Sequence, residues 1–307
     1  MYRFLIAFVT VLWLGCSAGY SARAENITAV ATGSMLFSFD SATPGTIPTS
    51  LRITGLQQGE NITNLDFHPT TGQLFGSSTA GRIYSIDQQT GAARLVLASL
   101  GDPEAGRPLG FDFDPVDGSL RVTGENNRNL RVNVDTGEVT VAGLLNYEGN
   151  PSQAIRVVGL AFSNNVAGAT TTTLYGINSF LSTLERLDSP DTGTLTTIGP
   201  LLGSGILDRS NIGFDISGVT GTAYAVFFGE IGGAGLFSVD LNTGISTRIG
   251  RIGSMMSASV VGIAVTPSAS NLQPVPEPAT MLLLGTGLAG VGAAIHKRRQ
   301  ADRGTQA

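Results

Sequence analysis

Between residues 27 and 265, short apolar runs alternate with turn-forming residues, and the runs recur in two series of five. The first series ends in aspartate: Leu36-Phe37-Ser38-Phe39-Asp40, Ile83-Tyr84-Ser85-Ile86-Asp87, Arg131-Val132-Asn133-Val134-Asp135, Leu184-Glu185-Arg186-Leu187-Asp188 and Leu236-Phe237-Ser238-Val239-Asp240. The aspartates lie 47, 48, 53 and 52 positions apart, each followed by a glycine at 45, 91, 137, 193 or 244. Aspartate opening a turn and glycine accepting positive φ is hairpin chemistry. The second series is Ile62-Thr63-Asn64-Leu65-Asp66-Phe67, Leu109-Gly110-Phe111-Asp112-Phe113, Val158-Gly159-Leu160-Ala161-Phe162, Ile212-Gly213-Phe214-Asp215-Ile216 and Val261-Gly262-Ile263-Ala264-Val265. These runs are mostly apolar, as strands buried on both faces are.

After each of the first four comes a turn and a further strand, predicted at 73–78, 119–124, 172–178 and 222–228. The Asp-ended strand follows, and then a fourth, as at 92–98 or 245–250. Each unit therefore holds four strands, A to D, in about 50 residues, the size of a propeller blade. The series opens with a B and a C strand (27–32, 35–40) and closes with an A strand (260–265), which completes the first blade. Such closure removes free sheet edges. The spacing and the missing strand favour this over an open β-solenoid or a sandwich. The predicted fold is all-β: a five-bladed β-propeller over 25–267, closed by strand exchange between the N- and C-terminal strands. An N-terminal signal helix and a C-terminal transmembrane helix flank it.

The two ends read as targeting segments. Arg3 precedes an apolar run at 4–14, broken only by Thr10, and Ala22-Arg23-Ala24 gives a small-x-small cleavage pattern. This predicts a secretory signal peptide over 1–24 and a mature chain starting at Glu25. The run is too short for a comfortable crossing of a bilayer core of about 30 Å. Trp13-Leu14-Gly15-Cys16 bears a faint likeness to a lipoprotein box, with Trp13 where a small aliphatic residue is usual, so lipidation of Cys16 is a minor alternative. At the other end, a linker over 268–274 leads to Val275-Pro276-Glu277-Pro278, an uncharged stretch at 279–295 and His296-Lys297-Arg298-Arg299. As a helix the stretch spans roughly 26 Å at 1.5 Å per residue, just enough for a thin bilayer. Lys297, Arg298 and Arg299 would stop it on the cytoplasmic side. Gly285, Ala289 and Ala293 form a small-residue stripe, read as a spacer rather than a packing face.

Motif, helix and basic end in this order resemble the PEP-CTERM sorting signal, here over 275–307. The resemblance implies recognition by an exosortase-type membrane transpeptidase that removes the tail, with the inner membrane a transient partner. It implies export across the inner membrane to the periplasmic face and then the cell surface or extracellular matrix, in Gram-negative bacteria that make extracellular polysaccharide.

Composition narrows the chemistry. Cys16 is the sole cysteine, so the exported domain has no disulfide, thiolate nucleophile or Cys-based metal site. Residues 25–275 hold 21 Asp and Glu against 12 Arg, a net charge of −9, and no Lys. That argues against nucleic acid or an anionic membrane surface as partner, and excludes Schiff-base lysines and Walker-type loops. His68 is the only histidine before the tail and reads as a turn residue ahead of Pro69.

Asn129-Leu130-Arg131-Val132-Asn133 with Asp135-Thr136-Gly137, Gly110-Phe111-Asp112-Phe113-Asp114-Pro115, and the stretch from Val166-Ala167-Gly168 through Thr173-Leu174-Tyr175-Gly176 resemble the bacterial secreted domain of unknown function 4394. The resemblance covers most of 27–267 and implies no activity.

In a propeller the B–C and D–A loops share one face, and here they are the longer ones, at 100–108, 144–156, 203–211 and 229–235. Binding groups concentrate on loops held by a rigid scaffold. Candidate ligand residues on that face are Arg107, Asn126, Asn127, Arg128, Tyr147, Glu148, Asn150, Arg156, Asp208, Arg209 and Glu230. Asp112, Asp114 and Asp117 offer oxygens of the kind calcium takes, without EF-hand spacing and with Pro115 between them. Asp66, Asp112 and Asp215 recur at equivalent places in the A strands; in register they look like scaffold, although some propeller glycosidases draw carboxylates from such strands. The expectation is a non-catalytic binding or structural propeller, with no cofactor beyond a calcium alternative. A glycoside hydrolase is the second reading.

Overall fold

The computed structural model describes residues 24–201, 206–229, 233–253 and 259–267, without the side chains of 206–211. The predicted signal segment and sorting signal, with their helices and Cys16, lie outside the described residues.

Among the described residues, twenty strands form five antiparallel four-stranded sheets. β1 (Asn26–Ala31), β2 (Met35–Asp40) and β3 (Ser50–Arg52) open the chain. β4 (Ile62–Phe67), β5 (Leu74–Ser78), β6 (Ile83–Ile86) and β7 (Ala93–Leu97) make blade 2. β8 (Gly110–Phe113), β9 (Leu120–Thr123), β10 (Asn129–Val132) and β11 (Val139–Val141) make blade 3. β12 (Val157–Phe162), β13 (Leu174–Asn178), β14 (Thr183–Ser189) and β15 (Thr194–Pro200) make blade 4. β16 (Ile206–Ile216), β17 (Ala223–Gly229), β18 (Gly233–Val239) and β19 (Ser246–Arg251) make blade 5. β20 (Val260–Val265) then pairs with β1, giving blade 1 the order β20-β1-β2-β3. The strand exchange predicted from the missing A strand is present, with Ile27 opposite Val265 and Ala29 opposite Ile263.

The A strands β4, β8, β12, β16 and β20 form the inner ring, each packed on the next, with β16 against β20 and β20 against β4 closing it. Each gap between blades holds one apolar cluster. Blades 5 and 1, for example, share Ile27, Phe37, Phe39, Tyr224, Leu236 and Ile263. This is why the A strands are apolar on both faces: each lies between two neighbours. The glycine in each G-x-D or G-x-A run sets the closeness of the ring. A Cβ on Gly213 would sit 2.8 Å from the Ile263 backbone nitrogen, and one on Gly262 would sit 3.1 Å from the Asn64 Cα.

The turn pattern needs two corrections of register. In blade 3 the residue that opens the C–D turn is Asn133, not Asp135. Its Oδ1 accepts from the Asp135 and Thr136 amides, and the Gly137 amide donates to its carbonyl. In blade 4 the opener is Ser189, not Asp188, because the Gly193 amide donates to the Ser189 carbonyl. Asp87 and Asp240 do open their turns, with glycine four residues on. Blades 2 to 5 share this four-residue spacing to a glycine at positive φ; blade 1 departs from it, with Gly45 five residues after Asp40 and outside the positive-φ region. Asn133 caps its turn with a side-chain oxygen as Asp does, whereas at Ser189 the backbone carbonyl alone accepts, from the Thr192 and Gly193 amides.

Glu25, the first residue of the predicted mature chain, staples the ring. It is 7% exposed, and its carboxylate accepts from the Ser217 and Thr220 hydroxyls and the Tyr224 phenol of blade 5. Its amide donates to Ser41 Oγ at 3.0 Å. Glu25→Ala leaves the buried Ser217 and Tyr224 hydroxyls, and the exposed Thr220 hydroxyl, without their shared acceptor. It is expected to cost about 2–4 kcal/mol. Thermal unfolding checks this, with Tm falling by roughly 5–10 °C.

Candidate functional site

Two places concentrate polar chemistry: the axis of the ring and the loop face above blades 3 and 4. At the axis stand Asp66, Asp112 and Asp215, each 1% exposed, with one carboxylate oxygen of each lying within 4.8 Å of the others. The blades in order carry Asp66, Asp112, Ala161, Asp215 and Ala264 at this position. The next residue in each strand offers an amide toward the ring, and carboxylates accept all five. Asp66 takes Phe67 and Phe113, both at 2.7 Å, and Asp112 takes Phe162 at 2.7 Å. Asp215 takes Ile216 at 2.6 Å and Val265 at 2.5 Å. Each aspartate reaches forward to the following blade. Asp66 and Asp215 follow alanine blades, so they must also serve their own strand. Asp112 follows an aspartate blade, its own amide is already taken, and its Oδ1 is left with no donor.

Burial, and then mutual repulsion, hold the Asp66 and Asp112 carboxyls well above the ordinary carboxylate range. Burial pushes Asp215 up to about 7, against the opposing pull of its two amide donors. Asp66 and Asp112 bring carboxylate oxygens within 4.8 Å of each other, and Asp112 Oδ1 has no donor of its own. A proton on the unpartnered Asp112 Oδ1 relieves the repulsion among the buried acids without displacing any amide. Among the described residues these are the acids close enough to share a cation. Calcium asks for six to eight oxygens, whereas five of these six already face amide hydrogens.

Asp114 and Asp117 turn away from Asp112. Asp114 caps the Val116 amide at 2.8 Å; Asp117 caps Ser119 and pairs with Arg131 at 2.5 Å. His68 sits in the β4–β5 turn, its ring 5.0 Å from that of Phe113 and its Nδ1 accepting from the Thr70 amide. Burial lowers its pKa. It lines a cleft of about 790 Å³ between the turns of blades 2 and 3, with Phe75, Asp117, Arg131 and Glu138. Nothing in the spacing of these short turns signalled the cleft.

On the loop face a pocket of about 480 Å³ lies between blades 3 and 4, lined by Asn126, Asn127, Arg156, Glu125, Phe180 and the apolar Leu109 among others. Three of the candidate residues, Asn126, Asn127 and Arg156, meet here. Asn126 and Asn127 hold left-handed φ of 53° and 60°, a conformation asparagine tolerates in tight turns. One buried side chain organises the opposite wall. Asn178 Oδ1 accepts from the Arg156 and Phe180 amides, both at 3.1 Å, and its Nδ2 donates to Tyr147 Oη at 3.0 Å and the Ala154 carbonyl at 2.9 Å. Tyr147 is thus a prop for the 144–156 loop, and burial raises its pKa to about 12.

Other candidates lie apart. Arg128 pairs with Asp102 at 3.1 Å and with Glu104. Arg107 lines a small opening of about 20 Å³ at the ring's top, with Thr63, Val158, Ile212 and Val261. Glu148 and Asn150 are exposed on their loop. The side chains of Asp208 and Arg209, and all of Glu230, lie outside the described residues. Phe180 was missed, although a bulky aromatic in the polar turn Asn178-Ser179-Phe180-Leu181-Ser182 was the available signal.

Comparison places this geometry among known proteins. The family model described as "Domain of unknown function (DUF4394)" matches residues 35–264. The PEP-CTERM protein-sorting motif matches residues 274–299, which implies an exosortase-processed chain exported to the cell surface or beyond. No curated protein matches the chain. A structural genomics protein of unknown function from Bacteroides thetaiotaomicron VPI-5482 is similar in fold, with a TM-score of 0.50 and 14% identity over 82% of this chain and 69% of that one. A chain of a nidogen/laminin complex aligns with a TM-score of 0.43 and 15% identity, over 78% of this chain and 83% of its own.

Proposed function

The chain belongs to the DUF4394 family, and from that premise we propose that its propeller is a non-catalytic binding module of the cell surface or extracellular matrix. On this reading a signal peptide over 1–24 starts export. The Val275-Pro276-Glu277-Pro278 motif, the apolar segment and Lys297, Arg298 and Arg299 then present the tail to an exosortase. The observation that carries the binding role is the convergence of Asn126 and Asn127 from one loop and Arg156 from another on one pocket of ligand size.

The axial carboxylates support the same reading. A glycosidase needs its acids facing a cavity that admits substrate. Asp66, Asp112 and Asp215 are instead buried and engaged with backbone amides across the ring. The test is to incubate the purified exported chain with a panel of polysaccharides and follow both retention and product. Retention with no saccharide released is the expected result. Release of sugar that Asp112→Asn or Asp215→Asn abolishes would establish the hydrolase instead.

A further inference from the structure

We infer that the pocket between blades 3 and 4 is a subsite for an uncharged pyranose unit of a polysaccharide, with Phe180 as its platform; the inference rests on the binding role proposed above. Phe180 is 63% exposed, the most exposed of the large apolar side chains among the described residues and the one aromatic ring among them. Its backbone is fixed from beneath by Asn178, which is fully buried. An aromatic ring so exposed at the rim of a pocket, on a backbone held in place, offers a ligand a flat apolar face. A pyranose covers it well: one face of the sugar presents C–H groups, and the electron-rich face of a benzene ring attracts them.

The rest of the pocket suits the sugar's other groups. Asn126 and Asn127 present amides that both donate and accept, which is how hydroxyls at varied angles are met. The strained φ at both asparagines is held by the turn in which the Gly124 amide donates to the Arg128 carbonyl. The Asn126 side chain is also held, its Nδ2 donating to the Glu104 carbonyl at 3.0 Å, so part of the wall is placed before any ligand arrives, which reduces the ordering cost of binding. Arg156 and Glu125 bring one charge of each sign to the wall. The folded stretch as a whole carries a net charge of −9, which repels a polyanion. Charge thus selects an uncharged saccharide over a uronic-acid polymer.

The experiment titrates the full exported chain with neutral gluco-, manno- and xylo-hexasaccharides and with an alginate hexasaccharide, by calorimetry at low and high salt. At least one neutral oligomer is expected to bind with little salt dependence. Phe180→Ala should weaken it tenfold or more without moving Tm, and Phe180→Tyr should restore it. Binding of a neutral oligomer that Phe180→Ala leaves unchanged overturns the subsite while the wider binding role stands. Binding confined to the alginate oligomer and lost in salt overturns the choice of an uncharged sugar. No binding by any oligomer, or by the polysaccharides themselves, overturns the carbohydrate reading altogether.

Discussion

A chain ending at Ser259 is expected to lose cooperative folding, because the last strand is the inner wall of the first blade. β20 contributes Val260, Ile263 and Val265 to the cluster between blades 5 and 1, and Val261 and Ala264 to the cluster between blades 1 and 2. Its five apolar side chains here are nearly all buried. At about 25 cal/mol per Å², burying a Val or Ile side chain contributes roughly 1.5–3 kcal/mol. The lost packing alone is thus on the order of the 5–15 kcal/mol that holds a domain together. The truncation also strips β1 of its partner, leaving a raw inner edge, and leaves Asp215 Oδ2 without the Val265 amide. Circular dichroism melts and gel filtration should show a broad, low transition and association. A sharp transition at the full-length temperature would mean that the ring does not depend on its closing strand.

The ring was legible because a blade is a local repeat. Its four strands, its turn glycines and the orphan A strand each leave a mark within about 50 residues, and chain order alone says which strand is missing. The errors of register at Asp135 and Asp188 come from reading residue identity where the turn reads only an acceptor. Asn133 performs the aspartate's task four residues before its glycine, and in blade 4 the Ser189 carbonyl suffices. The site was legible only as a face. That long loops would bring Asn126, Asn127 and Arg156 together depends on which blades are adjacent, and the order of repeats supplies that. Phe180 and the cleft beside His68 depend instead on how far each turn stands out from the sheets, which no periodicity encodes. The axial aspartates lie between the two cases. Their recurrence marked them as scaffold, but the free oxygen on Asp112 emerges only from counting amides around the closed ring.

That count gives the second large effect: the protein should be less stable at pH 8 than at pH 5, the reverse of ordinary acid denaturation. The axial carboxyls titrate higher in the folded ring than in the unfolded chain, Asp215 at about 7 against an ordinary 3.8. The folded state therefore holds protons that the unfolded state has released. Stability from these groups is complete below the unfolded value near 4 and is lost as pH rises through the folded one. For Asp215 alone the shift corresponds to at most about 4 kcal/mol, so a fall in Tm of roughly 5–10 °C between pH 5 and pH 8 is expected. Glu185 and Asp114, also raised by burial, act in the same direction. Asp87, Asp117 and Asp188 are lowered, so the stability they give is present above about pH 4 and lost only below it, outside this range. His68 opposes the trend, since burial keeps it neutral, but a single half-buried imidazole titrating below 6.5 does not reverse it. The variants separate the axis from everything else. Asp112→Asn keeps the acceptor for the Phe162 amide and puts an N–H₂ where the unpartnered oxygen was, so it replaces the shared proton with a permanent donor toward Asp66. It should raise Tm at pH 8 by several degrees and flatten the pH dependence. Asp215→Asn has no such freedom: both oxygens accept amides, so one face of the new side chain must set donor against donor. It should cost about 1–3 kcal/mol at either pH. A wild-type Tm that climbs from pH 5 to pH 8, or an Asp112→Asn protein as unstable as Asp215→Asn, would show that the axis carries three charges rather than a shared proton.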